Sequence, residues 1–299
     1  ERDSIGNYGI MTKSFLIDDS VSLIVKAPKW NDNKLLRSFS SVKILFDDLA
    51  GDLNISFIDK KSNIVVAHQN DSIGFGFFEY HLDSLYNEMT VSFNGNAYIY
   101  GLMFDGEYGV SVDNIPLRGS SGIVFSLIDD ALLKKSYQYA DVELVILQFG
   151  GNALPAISGE NNAQDYAGKV YRQLRHLKRL YPEATYMFIG PSDMAIRKEG
   201  EMVSHPYLRR TVECLKDTVL SCGVAYWDLY AMMGGNNSMV RWVQDGLAGD
   251  DYIHFNNRGA EKAGKALTNS FATMYDIFTI KQQFDTVKFE TIWDVYYRY

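Results

Sequence analysis

The chain has 299 residues, 46% of them hydrophobic and 22% charged, and 29 Lys and Arg against 37 Asp and Glu leave a formal net charge of -8. At roughly 100 to 200 residues per domain this is one large domain or two ordinary ones, long enough to bury a core without disulfides. No apolar run reaches the roughly 18 residues that cross a bilayer. An acidic chain without a Lys/Arg cluster lacks the local basic charge that phosphates need, which argues against nucleic acid as the main partner.

The first hundred residues alternate short apolar and β-branched runs with turn residues, so strands are expected over 21–25, 42–46, 53–58, 64–67, 89–93 and 97–104. Asn94-Gly95 between the last two reads as a hairpin, since a type I′ turn needs positive φ at both central positions. Residues 1–105 thus read as an antiparallel β-sandwich. From about Gly106 the period changes: strand-like runs at 108–112, 144–149, 185–189 and 224–227 alternate with helical patterns at 121–135, 165–180, 208–221 and 257–274. Alternating strand and helix over 106–278 implies a parallel sheet covered by helices, whose ligands sit beyond the carboxyl ends of the strands. Residues 279–299 form an aromatic-rich tail, read as packed rather than partner-binding.

Cys214 and Cys222 lie on a predicted helix and its exit, with neither metal-ligand spacing nor a disulfide framework. Glu1-Arg2-Asp3-Ser4 is not a basic segment followed by an apolar core, so any signal peptide has been removed or was never part of this chain.

The predicted strand ends carry small and polar residues: Asp113-Asn114 and then Arg118-Gly119-Ser120-Ser121-Gly122, Gly150-Gly151-Asn152, and Gly190-Pro191-Ser192-Asp193. Glycines there let backbone N–H groups point at an anion, although strand-to-helix turns need such residues anyway. Asp251-Tyr252-Ile253-His254 is sharper. An Asp three residues before a His accepts the imidazole Nδ1–H and leaves Nε2 as a general base. His68, His81, His176 and His205 carry no such partner, though His205, before Pro206 at a helix start, is placed to line a cleft.

The Gly-bearing turn, Gly-Gly-Asn and D-x-x-H, in that order, resemble the second, third and fifth sequence blocks of the SGNH (GDSL-type) hydrolases. The resemblance implies a flavodoxin-like three-layer α/β domain beside the β-sandwich, with Gly119 and Asn152 as oxyanion-hole donors and Asp251 and His254 as acid and base of a serine triad. The β-rich half placed before the Gly block, Trp227-Asp228-Leu229-Tyr230, Met232-Met233-Gly234-Gly235, Ser238-Met239 and Trp242 resemble peptidoglycan O-acetylesterases, in which a carbohydrate-binding-module-like sandwich is inserted after the nucleophile block. That family implies an O-acetylated polysaccharide substrate, peptidoglycan foremost, the bacterial periplasm or outer surface, and no metal or organic cofactor.

The departure is the nucleophile. The family carries it in Gly-Asp-Ser after the first, central strand of the sheet; here Arg2-Asp3-Ser4-Ile5-Gly6 has Arg in place of Gly and no apolar strand before it. Ser4 is the candidate nucleophile within the chain, yet residues 5–12 align with the lead-in to the inserted sandwich. Four strands where five are usual leave the sheet without its first strand. Either an upstream segment or a second chain supplies strand and serine, or the chain is a non-catalytic relative that binds or scaffolds carbohydrate. Trp30 and Tyr80 are aromatics that can stack on a sugar or fill the sandwich core; the core reading is preferred.

Overall fold

A computed structural model describes residues 14–27 and 37–283. Ser4, Trp30 and residues 284–299 lie outside the described residues. The chain is α/β, with antiparallel sheets in its β-rich N-terminal part and a parallel pairing further on. It divides into two compact units, residues 1–145 with 172–185, and residues 146–171 with 186–299.

The first unit holds two four-stranded antiparallel sheets. One has the order β1 (Phe15–Ile17), β8 (Ala97–Asp105), β3 (Phe39–Asp48), β6 (Gly74–Tyr86); the other β2 (Ser20–Lys26), β7 (Glu88–Asn94), β4 (Asn54–Ile58), β5 (Ile64–Gln69). Period-2 alternation turns Val42, Ile44, Phe46, Phe78 and Ile99 of one sheet toward Ile55, Phe57, Met89, Val91 and Phe93 of the other. Each fully buried Phe or Ile contributes about 1.5–3 kcal/mol.

The sequence pattern had missed β6. Gly76 interrupts its alternation because a Cβ there would sit 2.2 Å from the Phe46 ring, so the ring packs on bare backbone. Asn94-Gly95 is not a hairpin turn. β7 pairs with β2 and β4 while β8 pairs with β1 and β3, so the turn passes from one sheet to the other. Gly95 has φ +131° and a Cβ there would lie 2.8 Å from the Asp52 carbonyl oxygen, whereas Asn94 has no positive φ. Tyr80 stays exposed at the outer strand β6, stacked on Phe78 at 6.3 Å, which overturns its core reading.

Asp48 is fully buried, and its two oxygens accept from the Ala50, Gly51, Asp52 and Leu53 N–H groups and from Asn70 Nδ2. Burial pushes the carboxyl up, but these bonds outweigh it and hold it below the ordinary carboxylate value. A folded-state value below the unfolded one stabilises fully above about pH 4 and is lost as pH falls through the folded value. Asp48→Ala is therefore expected to cost about 3 kcal/mol at neutral pH, with a smaller penalty below about pH 3, read by urea unfolding across pH.

The outer face of the β3–β6–β8 sheet, through Leu45, Tyr100 and Met103, packs on Leu132 of α1 (Asp130–Ala140). This helix starts nine residues later than the expected 121–135, because Asp129 is the cap, accepting from Leu132 N–H at 2.8 Å, and only a 3-10 turn at Phe125–Leu127 precedes it. The strand expected over 108–112 is absent. Its alternation is strand-like, but no neighbour among the described residues pairs with it, and Tyr108, Val110 and Val112 are 68, 89 and 84% exposed.

Among the described residues three strands rather than four form the sheet of the α/β part, in the order β13 (Ala225–Trp227), β10 (Thr185–Ile189), β9 (Leu144–Gln148), with β10 and β13 parallel. Leu144 and Ile146 of β9 remain solvent-exposed. The helices are α2 (Glu160–Leu180), α3 (Leu208–Ser221), α4 (Leu229–Met233), α5 (Ser238–Gln244) and α6 (Asn257–Gln283), and β11 (Ala195–Lys198) pairs with β12 (Glu201–Ser204) as a hairpin. Cys214 on α3 and Cys222 at its end are buried and not joined in a disulfide. No helix among the described residues is long and apolar enough to cross a membrane.

Candidate active site

The Asp251–His254 loop is tightly fixed. Gly249 N–H donates to the His254 carbonyl at 2.9 Å, Tyr252 N–H to the Gly249 carbonyl at 3.0 Å, and Ala248 bridges Phe255. Tyr252 takes φ +57°, which turns the chain so that Asp251 looks back at His254. Beyond it Asn256 Oδ1 caps α6 through Arg258 and Gly259 N–H while its Nδ2 donates to the Gly246 carbonyl. A Cβ on Gly259 would sit 1.9 Å from the Leu247 carbonyl oxygen, so only glycine lets the helix start there.

Asp251 Oδ2 lies 2.7 Å from His254 Nδ1, and Oδ1 accepts the Ile253 and His254 N–H groups, each at 3.0 Å. The His254 side-chain bond first, then these backbone bonds, hold the Asp251 carboxyl down at about 2. An ionised acceptor on Nδ1 makes Nδ1 the protonated nitrogen and leaves the Nε2 lone pair outward. His254 is exposed, and its Nε2 has no hydrogen-bond partner among the described residues. The imidazole is thus oriented by its carboxylate partner, with its second nitrogen open to solvent.

Asn152 stands exposed in the 3-10 helix Gly151–Ala156 that follows β9. Gly150 before it has φ +123° and a Cβ there would lie 2.9 Å from Pro191 Cδ, so the turn after β9 is pressed against the turn after β10. Ala195 N–H, further along that second segment, donates to the Tyr252 carbonyl at 3.0 Å. Asn152 and the Asp251–His254 pair are thereby tied to one end of the sheet, beyond the carboxyl ends of β9 and β10. Gly119 belongs to the other compact unit; it has φ +72° in an exposed turn, and its N–H has no acceptor among the described residues. Ser120 Oγ accepts the Gly122 N–H and Ser111 Oγ donates to Asp105, so both hydroxyls serve the local loop.

No family model matches the chain, and no curated protein matches it. Among solved structures, a peptidoglycan O-acetylesterase superposes with TM-score 0.70 over 91% of this chain and 74% of its own, at 17% identity. The chain shares the fold of that esterase. A family two carbohydrate esterase from Cellvibrio japonicus is 15% identical over 74% of this chain and 83% of its own, with TM-score 0.24, too loose a superposition to carry an argument.

Within this fold, Gly190-Pro191-Ser192-Asp193 is structural. Asp193 is fully buried; its Oδ1 accepts Met194 N–H and Ser204 Oγ–H, and its Oδ2 accepts Met239 N–H and Ser238 Oγ–H. One carboxylate thus joins the exit of β10, the β11–β12 hairpin and the start of α5. The Trp227 to Trp242 motif is core: Leu229, Met233, Met239 and Trp242 are buried together, Asp228 caps α4, and Trp242 Nε1 donates to the Met233 carbonyl at 3.1 Å. His205 is half-buried, which lowers its pKa, and its Nδ1 accepts Tyr207 N–H. Among the described residues no group of three His, Cys, Asp or Glu is placed to hold a metal ion.

Proposed function

We propose that the chain is a serine esterase of the SGNH class that removes O-acetyl groups from a polysaccharide of the bacterial cell envelope, peptidoglycan foremost. The Asp251–His254 pair carries this reading: a 2.7 Å contact that orients an exposed imidazole, with its second nitrogen unengaged, has the geometry of a general base. The fold shared with a peptidoglycan O-acetylesterase supports the substrate class.

In this mechanism His254 Nε2 takes the serine proton as the hydroxyl attacks the acetyl carbonyl, and Asp251 stabilises the imidazolium. The Asn152 amide donates to the tetrahedral oxyanion; the resemblance gives the Gly119 N–H the same role. Collapse passes the proton from His254 to the leaving sugar oxygen, and water attacks the acetyl-enzyme with the same base. Loss of one oxyanion donor costs about 100- to 1000-fold in rate. Asn152→Ala is expected to lower kcat by that factor with KM nearly constant, measured on an acetylated glycan; an unchanged kcat removes Asn152 from the site.

The nucleophile in this reading lies outside the described residues, either as Ser4 or on a strand supplied by an upstream segment or a second chain. The unengaged His254 Nε2 supports this. So do the unpaired, strand-patterned residues 108–112 and the exposed Leu144 and Ile146 of β9, apolar surfaces of the kind a further strand covers.

A further inference from the structure

Leu267 of α6 still packs into the core around Trp242, but from residue 271 to 283 every residue except Ile277 and Thr279 is exposed. Five of these are large and apolar. Ile280, 42% exposed, lies on the side of the helix opposite Phe271. The other four are Phe271 at 42%, Met274 at 52%, Tyr275 at 70% and Phe278 at 57% exposure. Their spacing of i, i+3, i+4 and i+7 gathers them into one stripe along the helix, while Asp276 falls on the opposite side. A contiguous apolar stripe is a different matter from scattered surface apolar residues, and it calls for a partner.

The stripe itself indicates which partner. Phe-x-x-Met-Tyr-x-x-Phe has the same pattern of bulk in both directions. A two-fold axis passing between Met274 and Tyr275, perpendicular to the helix, sets Phe271 of one copy against Phe278 of the other, and Met274 against Tyr275. Such self-complementarity is what an isologous interface requires. It brings no like charges face to face, because Asp276 points away. At the observed exposures the four side chains offer about 500 Å² per copy, so complete pairing of the stripes buries at most about 1,000 Å² in total, the low end for a specific association.

We propose that α6 is the interface of an antiparallel homodimer formed by packing the two stripes together. This stands independently of the esterase reading. Sedimentation velocity on the full chain, from low to high micromolar concentration, is expected to show a monomer–dimer equilibrium. Phe278→Glu combined with Met274→Glu raises the dissociation constant by at least about thirtyfold, since the anchors of an interface typically carry more than about 1 kcal/mol each. Asp276→Ala leaves it unchanged. Both side chains of the double variant are exposed in the single chain, so its helical circular dichroism and melting temperature match those of the monomeric wild type. A wild type that stays monomeric throughout overturns the proposal and assigns the stripe to other cover, residues 284–299 or an unlike partner. A dimer that persists in the double variant overturns it too.

Discussion

Replacing His254 with alanine is expected to lower kcat for an acetylated substrate by about four orders of magnitude or more, with little change in KM, because removing the base of a triad leaves only positioning and oxyanion stabilisation. The loss is not one of folding. The His254 ring is exposed and touches only Asp251 through its side-chain nitrogens, so melting temperature is expected to stay within about 1 °C, in keeping with a surface substitution. Asp251→Asn is the sharper companion. The amide can still accept one backbone N–H, but it can place its NH₂ toward Nδ1 and favour the wrong tautomer, for a kcat drop of about 10⁴. With its carboxyl held at about 2, Asp251 stays ionised through any practical assay range, so the wild-type pH profile shows no limb from its titration above about pH 3. An Asp251 carboxyl that titrates in the ordinary carboxylate range, followed by NMR, contradicts this assignment.

Asp193→Ala is expected to destabilise the second unit by about 4 kcal/mol, lowering its melting temperature by roughly 10 °C. Four donors lose their acceptor at once, two hydroxyls and two backbone N–H groups, all within a region of buried residues. Ser204 and Asn237 already bond each other in both directions, Ser204 N–H to Asn237 Oδ1 and Asn237 N–H to Ser204 Oγ, so part of the network survives. Asp193→Asn restores bulk and one acceptor and is expected to recover about half of the loss. Activity falls with stability in the alanine variant, because Ala195, two residues on, holds the Tyr252 carbonyl between the two proposed catalytic side chains. Calorimetry and ester hydrolysis on the same samples check both halves; a variant with wild-type melting removes Asp193 from the framework.

What the sequence made legible follows the range of the forces involved. Helix α3 falls on its expected bounds, 208–221, because its periodicity sits between Pro206 and Gly223, local signals that need no tertiary context. The Asp251–His254 pair was legible for the same reason: three residues and one turn suffice. Elements that depend on distant partners were not. The strand reading of 108–112 rested on alternation alone, and alternation makes a strand only when a neighbour pairs with it. β6 was hidden because Gly76 makes room for the Phe46 ring, a contact thirty residues away in sequence. Asn94-Gly95 carries a genuine glycine requirement, but its cause is the Asp52 backbone and not a hairpin. Asp193 was grouped with ligand-binding turns; nothing local distinguishes a carboxylate that joins three elements from one that faces a substrate.

The most direct test of the central claim is to treat the full gene product with a fluorophosphonate probe and map the modified residue by peptide mass spectrometry, in parallel with His254→Ala. The account predicts one labelled serine, Ser4 or one outside this sequence, with labelling abolished in the variant. Label on Ser111 or Ser120, label that survives the loss of His254, or no labelled serine in the full gene product would contradict it.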